Sequence, residues 1–197
     1  GQYARDKGTL FVIHLSENDA EVNTCMEQHG ARPVEHLEKL GLLSGNTLAA
    51  HCVRLNDKDI TLLKKHDVKV THCAESNMKL ASGIAPVPAM LEAGVTVSIG
   101  TDGSASNNDV DMFGEIDTVA KVHKVSTLDP TVMTAEQTLN AATMGGAKAL
   151  NAEDSIGSLE KGKKADCIIL DLNQSHMIPL YNVPSQLVYV ARGSDVT

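Results

Sequence analysis

The sequence predicts an α/β fold in which parallel strands alternate with helices, as in α/β barrels. Four short apolar segments, LFVIH, TLAAH, VKVTH and VSIGTD, end on His14, His51, His72 and Asp102. Stretches of helical length separate these segments, which gives a β-α-β-α order. The chain has no Trp and only two Phe, so its core must be aliphatic, which is typical of strands buried on both faces.

Composition and charge argue against several classes of protein. The 197 residues are 42% hydrophobic, which is enough to form a core, and the net charge of −8 leaves no basic stripe for nucleic acid or anionic lipid. No apolar run approaches the ~20 residues of a membrane helix, and the start GQYARDKG has no apolar signal region. The four cysteines form no C-x-x-C pair, which favours reduced thiols. We therefore expect a cytoplasmic protein that binds neither nucleic acid nor membranes.

Helix start and stop signals define the elements of the first third of the chain. After the first strand, helices are predicted over 18–29 and 33–40, and each is followed by a glycine, Gly30 and Gly41. The second strand is predicted over 47–50. Asn56 is a suitable N-cap for a helix through Lys65, and a third strand follows over 68–71.

The middle of the chain is predicted to contain two long loops. Residues 72–88 are polar, contain glycine and exceed a minimal connection, so we expect a loop over the strand ends. A helix over 89–93 and a fourth strand over 95–100 follow. The glycine- and asparagine-rich residues 101–109 form the second predicted loop, before a helix over 110–124.

The last third changes character near residue 155. Thr134 and Gln137 form a capping box that opens a helix predicted to run to Leu150. The residues from 155 onward are rich in turn formers and predict a β segment with its best strand over 166–172, which could belong to a second module.

Motifs for nucleotide binding and serine hydrolysis are absent. The sequence has no G-x-G-x-x-G, no P-loop and no G-x-S-x-G, which argues against dinucleotide, phosphoryl-transfer and serine-hydrolase chemistry. The residues suited to chemistry lie at the predicted strand ends, where catalytic side chains of parallel α/β barrels collect. This placement indicates an enzyme rather than a scaffold.

His14 and Glu17 form a His-x-x-Glu pair at the end of the first strand. The histidine could ligate a metal, and the glutamate could carry a proton. Taken singly, each residue also has a non-catalytic interpretation. His14 could be a hydrogen-bonded structural histidine, and Glu17 could be a solvated loop residue. His51 could ligate metal, polarise a water or be structural, whereas the polar surroundings of His72 favour a structural or substrate-proximal role over ligation.

Asp102 provides the sharpest single signal. It follows a buried strand and is close to two glycines that allow near approach, so it suits a metal carboxylate that also takes a proton from water. The alternative is a turn or capping aspartate. Two histidines, a glutamate and an aspartate on successive strand ends converge only if the strands are parallel neighbours.

Five segments resemble the amidohydrolase superfamily, and within it the 5-methylthioadenosine/S-adenosylhomocysteine deaminases, which are related to the triazine chlorohydrolases. The resemblance covers nearly the whole chain. The segments are HLSEN (14–18), AHCVRL (50–55), HCAESNMKLASG (72–83), GTDGSASNNDVDMFGE (100–115) and PLYNVPSQLVYVARGSDVT (179–197).

The resemblance implies an α/β fold that is the C-terminal half of a (β/α)8 barrel, strands five to eight, with part of a flanking β-sandwich. Residues 1–153 would form the barrel half, and residues 154–197 would begin the sandwich and return to the barrel edge. The family carries one divalent metal, usually zinc, and its complete members are more than twice as long as this chain. We therefore expect a fragment that pairs with a missing N-terminal half or with other copies of itself.

The resemblance also implies roles for individual residues. His14 and Asp102 would be metal ligands, Glu17 would contact the substrate ring and shuttle protons, and His51 would position the water. Asp102 would also contact the substrate and accept a proton. The metal lowers the pKa of its water toward ~7, the hydroxide attacks the purine carbon bearing the amino group, and ammonia leaves. The expected substrate is a small nucleoside, methylthioadenosine or S-adenosylhomocysteine.

One departure from the family pattern keeps two alternatives open. The family opens with a His-x-His pair that supplies two metal ligands, and this chain contains no His-x-His. The chain could therefore be a catalytically inactive module that self-associates. A related activity of the triazine or guanine type is the other alternative, since the same catalytic residues serve those reactions. A small complete α/β binding protein, whose histidines are only structural, is a less favoured reading.

Overall fold

The computed structural model describes residues 1–197 and contains one parallel four-stranded sheet surrounded by helices. The strands are β1 (Phe11–Leu15), β2 (Thr47–His51), β3 (Lys69–His72) and β4 (Val97–Ile99). The α-helices are α1 (Gln2–Lys7), α2 (Asp19–His29), α3 (Pro33–Lys39), α4 (Asp57–Lys65), α5 (Ala74–Lys79), α6 (Val87–Glu92), α7 (Ser104–Asn107), α8 (Met112–Thr127), α9 (Ala135–Asn140), α10 (Gly146–Ala149) and α11 (Val183–Tyr189). A π-helix spans Ala141–Gly145, and 3-10 helices span Ser175–Met177 and Gly193–Asp195.

The sheet has the order β1-β2-β3-β4, and every neighbouring pair is parallel. Helical segments connect consecutive strands, as parallel pairing requires, because the chain must return to the starting edge each time. All four carboxyl ends therefore lie at one edge of the sheet. The predicted parallel α/β fold is confirmed.

The core is aliphatic, as the composition predicts. Its main cluster of 24 buried residues contains no aromatic side chain. Ala49, Val70 and Val97 of three adjacent strands lie in it together with Leu63 of α4 and Met90 of α6. Burying such side chains contributes about 1.5–3 kcal/mol for each large aliphatic residue, and this contribution holds the helices against the sheet.

Local capping signals locate several helices correctly. The Asn18 side chain accepts a hydrogen bond from the Glu21 backbone N–H at 2.9 Å and caps α2. Asn56 and Asp59 form a reciprocal capping box at the start of α4. The Thr134–Gln137 capping box opens α9. Each is a short-range interaction that the residues specify by themselves.

Both predicted loops contain a helix, so those two predictions are wrong in part. The stretch 72–88 includes α5, and 101–109 includes the short helix α7. The first turn of α5 has no side-chain cap from Cys73, and it is held instead by Glu115 of α8. A contact between residues so far apart in the chain leaves no local sequence signal.

The helix predicted from Thr134 to Leu150 is interrupted by the π-helix Ala141–Gly145, and the backbone of its last residue packs against β4. A Cβ atom at Gly145 would lie 2.6 Å from the carbonyl oxygen of Val97. Gly146 has nothing within 4 Å of the same position. Gly145 therefore permits an approach between helix and strand that any side chain would block.

The strand predicted over 166–172 is not formed. Its only β contact is an isolated bridge between Leu170 and Val196, and no strand pairs along the rest of the segment. Ile168 and Ile169 remain 62% and 70% exposed. A strand needs a neighbouring strand for its backbone hydrogen bonds, and this segment has none. No helix of the molecule has the length and apolar character needed to span a bilayer.

His72 and His123 form a buried polar contact between β3 and α8. Their Nε2 atoms lie 3.1 Å apart, and each residue is 1% exposed. Burial, followed by the neighbouring His123, lowers the pKa of His72 to about 3. Burial and then Lys124 lower the pKa of His123 to about 4. Both imidazoles are therefore neutral in the folded protein, and one donates to the other.

We expect Gly145→Ala and Gly146→Ala to act in opposite directions. Gly145→Ala should destabilise the protein by about 1–3 kcal/mol, because the new Cβ meets backbone that must move. Gly146→Ala should stabilise it by up to about 1 kcal/mol, because alanine favours a helix without a clash. Urea unfolding of the two variants measures both effects, and equal destabilisation would contradict the packing assigned to Gly145.

The histidine pair should make the free energy of unfolding fall in acid. The unfolded histidines take up protons below their ordinary pKa of 6.5, whereas the folded pair stays neutral to about 3 and 4. The free energy of unfolding should therefore have its full value above about pH 6.5. Below that pH it should decrease, by about 1–2 kcal/mol per histidine near pH 5.

Comparison of three proteins isolates this effect. Replacing both His72 and His123 by leucine should flatten the decrease, whereas His29→Gln on the exposed face of α2 should leave it unchanged. The measurement is the urea midpoint at several pH values. An unchanged acid slope in the double variant would contradict the assignment.

Candidate metal centre at the strand ends

Three side chains of types that bind metal ions meet at the carboxyl edge of the sheet. His14 lies near the end of β1, His51 is the last residue of β2, and Asp102 follows β4. One ligand atom from each residue lies within 4.8 Å of the others. Two imidazoles and a carboxylate match the donors of three-ligand catalytic metal sites, in which a fourth position stays open for water or substrate. The residues present therefore fit a divalent metal.

The backbone at the strand ends adopts a strained conformation. His51 and Asp102 have φ values of 70° and 62°, and Ser16 and Cys52 have values of 50° and 51°. Left-handed φ values are uncommon for residues other than glycine and are concentrated at functional sites. At His51 this conformation ends the alternation of β2 side chains between the two faces of the sheet. The centroid of the His51 ring lies 5.2 Å from that of the His14 ring.

Asp102 is held as a carboxylate by hydrogen bonds to both of its oxygens. The Ser76 hydroxyl donates to Oδ2 at 2.7 Å, and the Gly103 backbone N–H donates to Oδ1 at 2.7 Å. Partial burial acts to raise the pKa of Asp102, but these hydrogen bonds and His51 outweigh it and the pKa is lowered. Asp102 is therefore an anion at neutral pH, as metal ligation requires.

His51 lies between two polar partners. Its Nδ1 atom lies 2.9 Å from Oδ1 of Asn77, and its Nε2 atom lies 3.9 Å from Oε2 of Glu17. The other oxygen of Glu17 accepts a hydrogen bond from the Ser82 hydroxyl at 3.3 Å. Glu17 is thus placed beside His51 with one carboxylate oxygen free of hydrogen-bond donors within the chain.

A cavity of about 480 Å³ opens beside the ligand cluster. His14, Ala50 and Thr71 come from the same face of three adjacent strands, because their Cα atoms are paired in register. This volume is within the range of small-molecule sites. The lining residues are Val12, Ile13, His14, Ala50, Thr71, Cys73 and Asp102.

His72 is not part of this cluster, since it contacts His123 of α8 on the other side of the sheet. This position agrees with the structural role that the sequence favoured. The structure instead adds Ser76 and Asn77, which the sequence analysis did not single out. Both lie within the segment HCAESNMKLASG, where only the resemblance to known proteins marked them.

The sequence of this chain matches a known protein family. Residues 1–197 match the amidohydrolase family over their whole length. The chain belongs to the amidohydrolase family. The resemblance noted in the sequence is thereby confirmed.

Curated relatives and solved structures extend this finding. The chain is 56% identical over 186 residues to a 5-methylthioadenosine/S-adenosylhomocysteine deaminase of Syntrophobacter fumaroxidans, covering 94% of this chain and 42% of the relative. It is 53% identical to a 5'-deoxyadenosine deaminase of Methanosarcina acetivorans, covering 98% of this chain and 44% of the relative. The chain thus spans less than half the length of these relatives.

Solved structures superpose on the entire chain. An adenosine deaminase from Xanthomonas campestris with bound zinc has a TM-score of 0.97 and 43% identity, covering 100% of this chain and 45% of its own. An atrazine chlorohydrolase from Arthrobacter aurescens complexed with zinc has a TM-score of 0.93 and 26% identity, covering 100% of this chain and 43% of its own.

The three-donor cluster should bind one divalent metal per chain. We expect His14→Ala, His51→Ala and Asp102→Ala each to weaken Zn²⁺ binding by about tenfold or more, because each removes one of the three candidate donor atoms. His29→Ala, an exposed substitution on α2, is the matched control. Equilibrium dialysis gives stoichiometry and affinity. Unchanged zinc affinity in a variant lacking all three ligands would refute the site.

Proposed function

We propose that this chain provides the catalytic strand ends of a metal-dependent aminohydrolase. The reaction is hydrolytic deamination of 5-methylthioadenosine or S-adenosylhomocysteine, which converts adenine to hypoxanthine and releases ammonia. The observation that carries the proposal is the convergence of His14, His51 and Asp102 within 4.8 Å, with Glu17 beside His51. The 56% identity to a deaminase of these substrates supports the choice of substrate class.

In this proposal His14 and Asp102 ligate the metal, and His51 orients the attacking water from a position where it can also serve as a third donor. Zinc, which is bound in the structural neighbours, would supply a Lewis acid that lowers the pKa of water toward ~7. The ionised Asp102 carboxylate accepts a proton from the water. Asp102 and Glu17 also contact the substrate.

Glu17 is assigned the proton transfer to the substrate ring. The Ser82 hydroxyl donates to Oε1, so Oε2 is available to give a proton to a ring nitrogen. The water oxygen then forms a bond to the carbon bearing the amino group. The C–N bond breaks, and the amino group leaves as ammonia with the proton that Asp102 took from the water. The remaining hydroxyl proton returns to Glu17 as the C=O bond of hypoxanthine forms. Atoms and charges balance without any further reactant.

We propose that the four strand–helix units correspond to strands five to eight of a (β/α)8 barrel. Two observations support this: the strands are parallel in sequence order, and β1 and β4 are both edge strands. Val12, on the same face of β1 as His14, is 62% exposed, as expected of an uncovered barrel interior. Residues 1–153 form the barrel part, and residues 154–197 begin a β-sandwich and return to the barrel edge.

The open edges require a partner in this proposal. Unpaired strand edges and an exposed apolar face favour association. Either an N-terminal half of the barrel or another copy of this chain would cover them.

A related triazine hydrolase activity is a second candidate. It is favoured by the zinc-bound atrazine chlorohydrolase, which superposes on the entire chain at 26% identity. The much higher identity to the deaminases makes the nucleoside the preferred substrate. An inactive module is the third outcome to test, because the chain lacks a His-x-His pair.

A chimera tests the function without depending on the length of this chain. Residues 1–197 would replace the matched segment of the Syntrophobacter relative, and ammonia release would be measured with methylthioadenosine, S-adenosylhomocysteine and atrazine. We expect deamination of the two nucleosides. Glu17→Gln should lower kcat at least about 100-fold, because it removes the proton carrier.

Glu27→Gln, an exposed substitution on α2, is the matched control and should retain activity. Turnover of atrazine without turnover of either nucleoside would transfer the assignment to the triazine hydrolases. A folded, zinc-loaded chimera that acts on none of the three would support the inactive module.

A further inference from the structure

Two consecutive residues of α5 contact two different residues of the candidate metal centre. The Ser76 hydroxyl donates to Oδ2 of Asp102 at 2.7 Å, and Oδ1 of Asn77 lies 2.9 Å from Nδ1 of His51. Ser76 and Asn77 are 0% and 1% exposed. Buried side chains cannot exchange these contacts for solvent, so the contacts persist in the folded protein.

The contact with Asn77 determines which nitrogen of His51 carries the proton. An amide oxygen only accepts hydrogen bonds, so Nδ1 of a neutral His51 must be protonated to donate to it. Nε2 then has a free lone pair, and this atom faces Glu17. A histidine that ligates metal through one nitrogen commonly donates its other N–H to an oxygen in this way.

The two polar atoms of the Asn77 side chain differ in their contacts. Nδ2 is buried without a hydrogen-bond partner. The contact between Oδ1 and His51 is therefore the only side-chain hydrogen bond that Asn77 makes within the chain.

The helix that carries both residues is fixed from outside the site. Glu115 of α8 accepts hydrogen bonds from the backbone N–H groups of Ala74 and Glu75, at 2.5 and 3.3 Å. Glu115 is fully buried, and burial raises its pKa to about 7 although these two donors oppose the shift. The first turn of α5 is thus attached to α8, and Ser76 and Asn77 have little freedom to move.

We propose that Ser76 and Asn77 are positioning residues of the metal centre. Asn77 holds His51 as the Nδ1–H tautomer, which leaves Nε2 free for a metal or a water. Ser76 holds the Oδ2 atom of Asp102, whereas the Gly103 backbone N–H holds Oδ1. The catalytic importance of these two residues rests on the proposed function. The tautomer of His51 and the effect of Ser76 on metal binding can be measured without it.

The first experiment reads the tautomer in the metal-free chain. Long-range ¹H–¹⁵N NMR at about pH 8, above the ordinary histidine pKa, distinguishes Nδ1–H from Nε2–H, and His51→Gln assigns the signals. We expect Nδ1–H in the native chain and in Asn77→Asp, which also offers an acceptor oxygen. Asn77→Leu should lose this preference.

Each outcome of the NMR experiment is decisive. An Nε2–H tautomer in the native chain would overturn the role of Asn77 without any variant being needed. Retention of Nδ1–H in Asn77→Leu would also overturn it. If the leucine variant does not fold, Asn77→Ala provides the same comparison without added volume.

The second experiment measures Co²⁺ binding through the visible absorption of the bound ion. Ser76→Ala and Asn77→Leu should weaken binding about 10–100-fold, whereas Ser76→Thr and Asn77→Asp should stay within about threefold of the native chain. Met78→Ala, on the exposed side of α5, is the matched control and should bind normally. Equal affinity of Ser76→Ala and the native chain would overturn the role of Ser76.

Failure of this proposal and failure of the proposed function are distinguishable. A chimera without deaminase activity would refute the function but would leave the tautomer and the Co²⁺ comparison intact. An active chimera with His51 in the Nε2–H form would retain the function and refute the positioning role of Asn77.

Discussion

The parallel register of the four strands is the constraint on which the rest of the structure depends. Leu15 pairs with His51, and His72 pairs with Ile99, so the ends of β1 to β4 lie side by side. Parallel pairing directs all carboxyl ends to one edge. Without this register, His14, His51 and Asp102 would lie far apart, and their candidate ligand atoms could not come within 4.8 Å of one another.

Several destabilising features lie at the strand ends, next to the candidate metal centre. The left-handed backbone at His51 and Asp102 is unfavourable, and the amide nitrogen of Asn77 is buried without a partner. Burial of the aliphatic core offsets the free-energy cost of these features. The conflict between local conformational preference and the observed structure is concentrated where the ligand atoms meet, as is typical of functional sites.

Membership in the amidohydrolase family gives this arrangement a chemical context. The chain spans 42–44% of the first two deaminases it matches, yet it contains three side chains that could hold a metal ion and a neighbouring glutamate. The family pattern of a His-x-His pair is absent from the chain. The candidate donors of this chain lie on β1, on β2 and just after β4, which belong to one sheet, so this sheet alone brings them together.

The sequence by itself determined the features that depend on neighbouring residues. The caps at Asn56 and Thr134 and the four apolar strands were predictable, because capping and periodicity act over a few residues. Only the tertiary structure decided α5, the π-helix at Gly145, the unpaired segment 166–172 and the place of His51 among the ligand atoms. Each of these features depends on a contact between distant residues, such as Glu115 with Ala74, or on the lack of such a contact. Neither can be predicted from the local sequence.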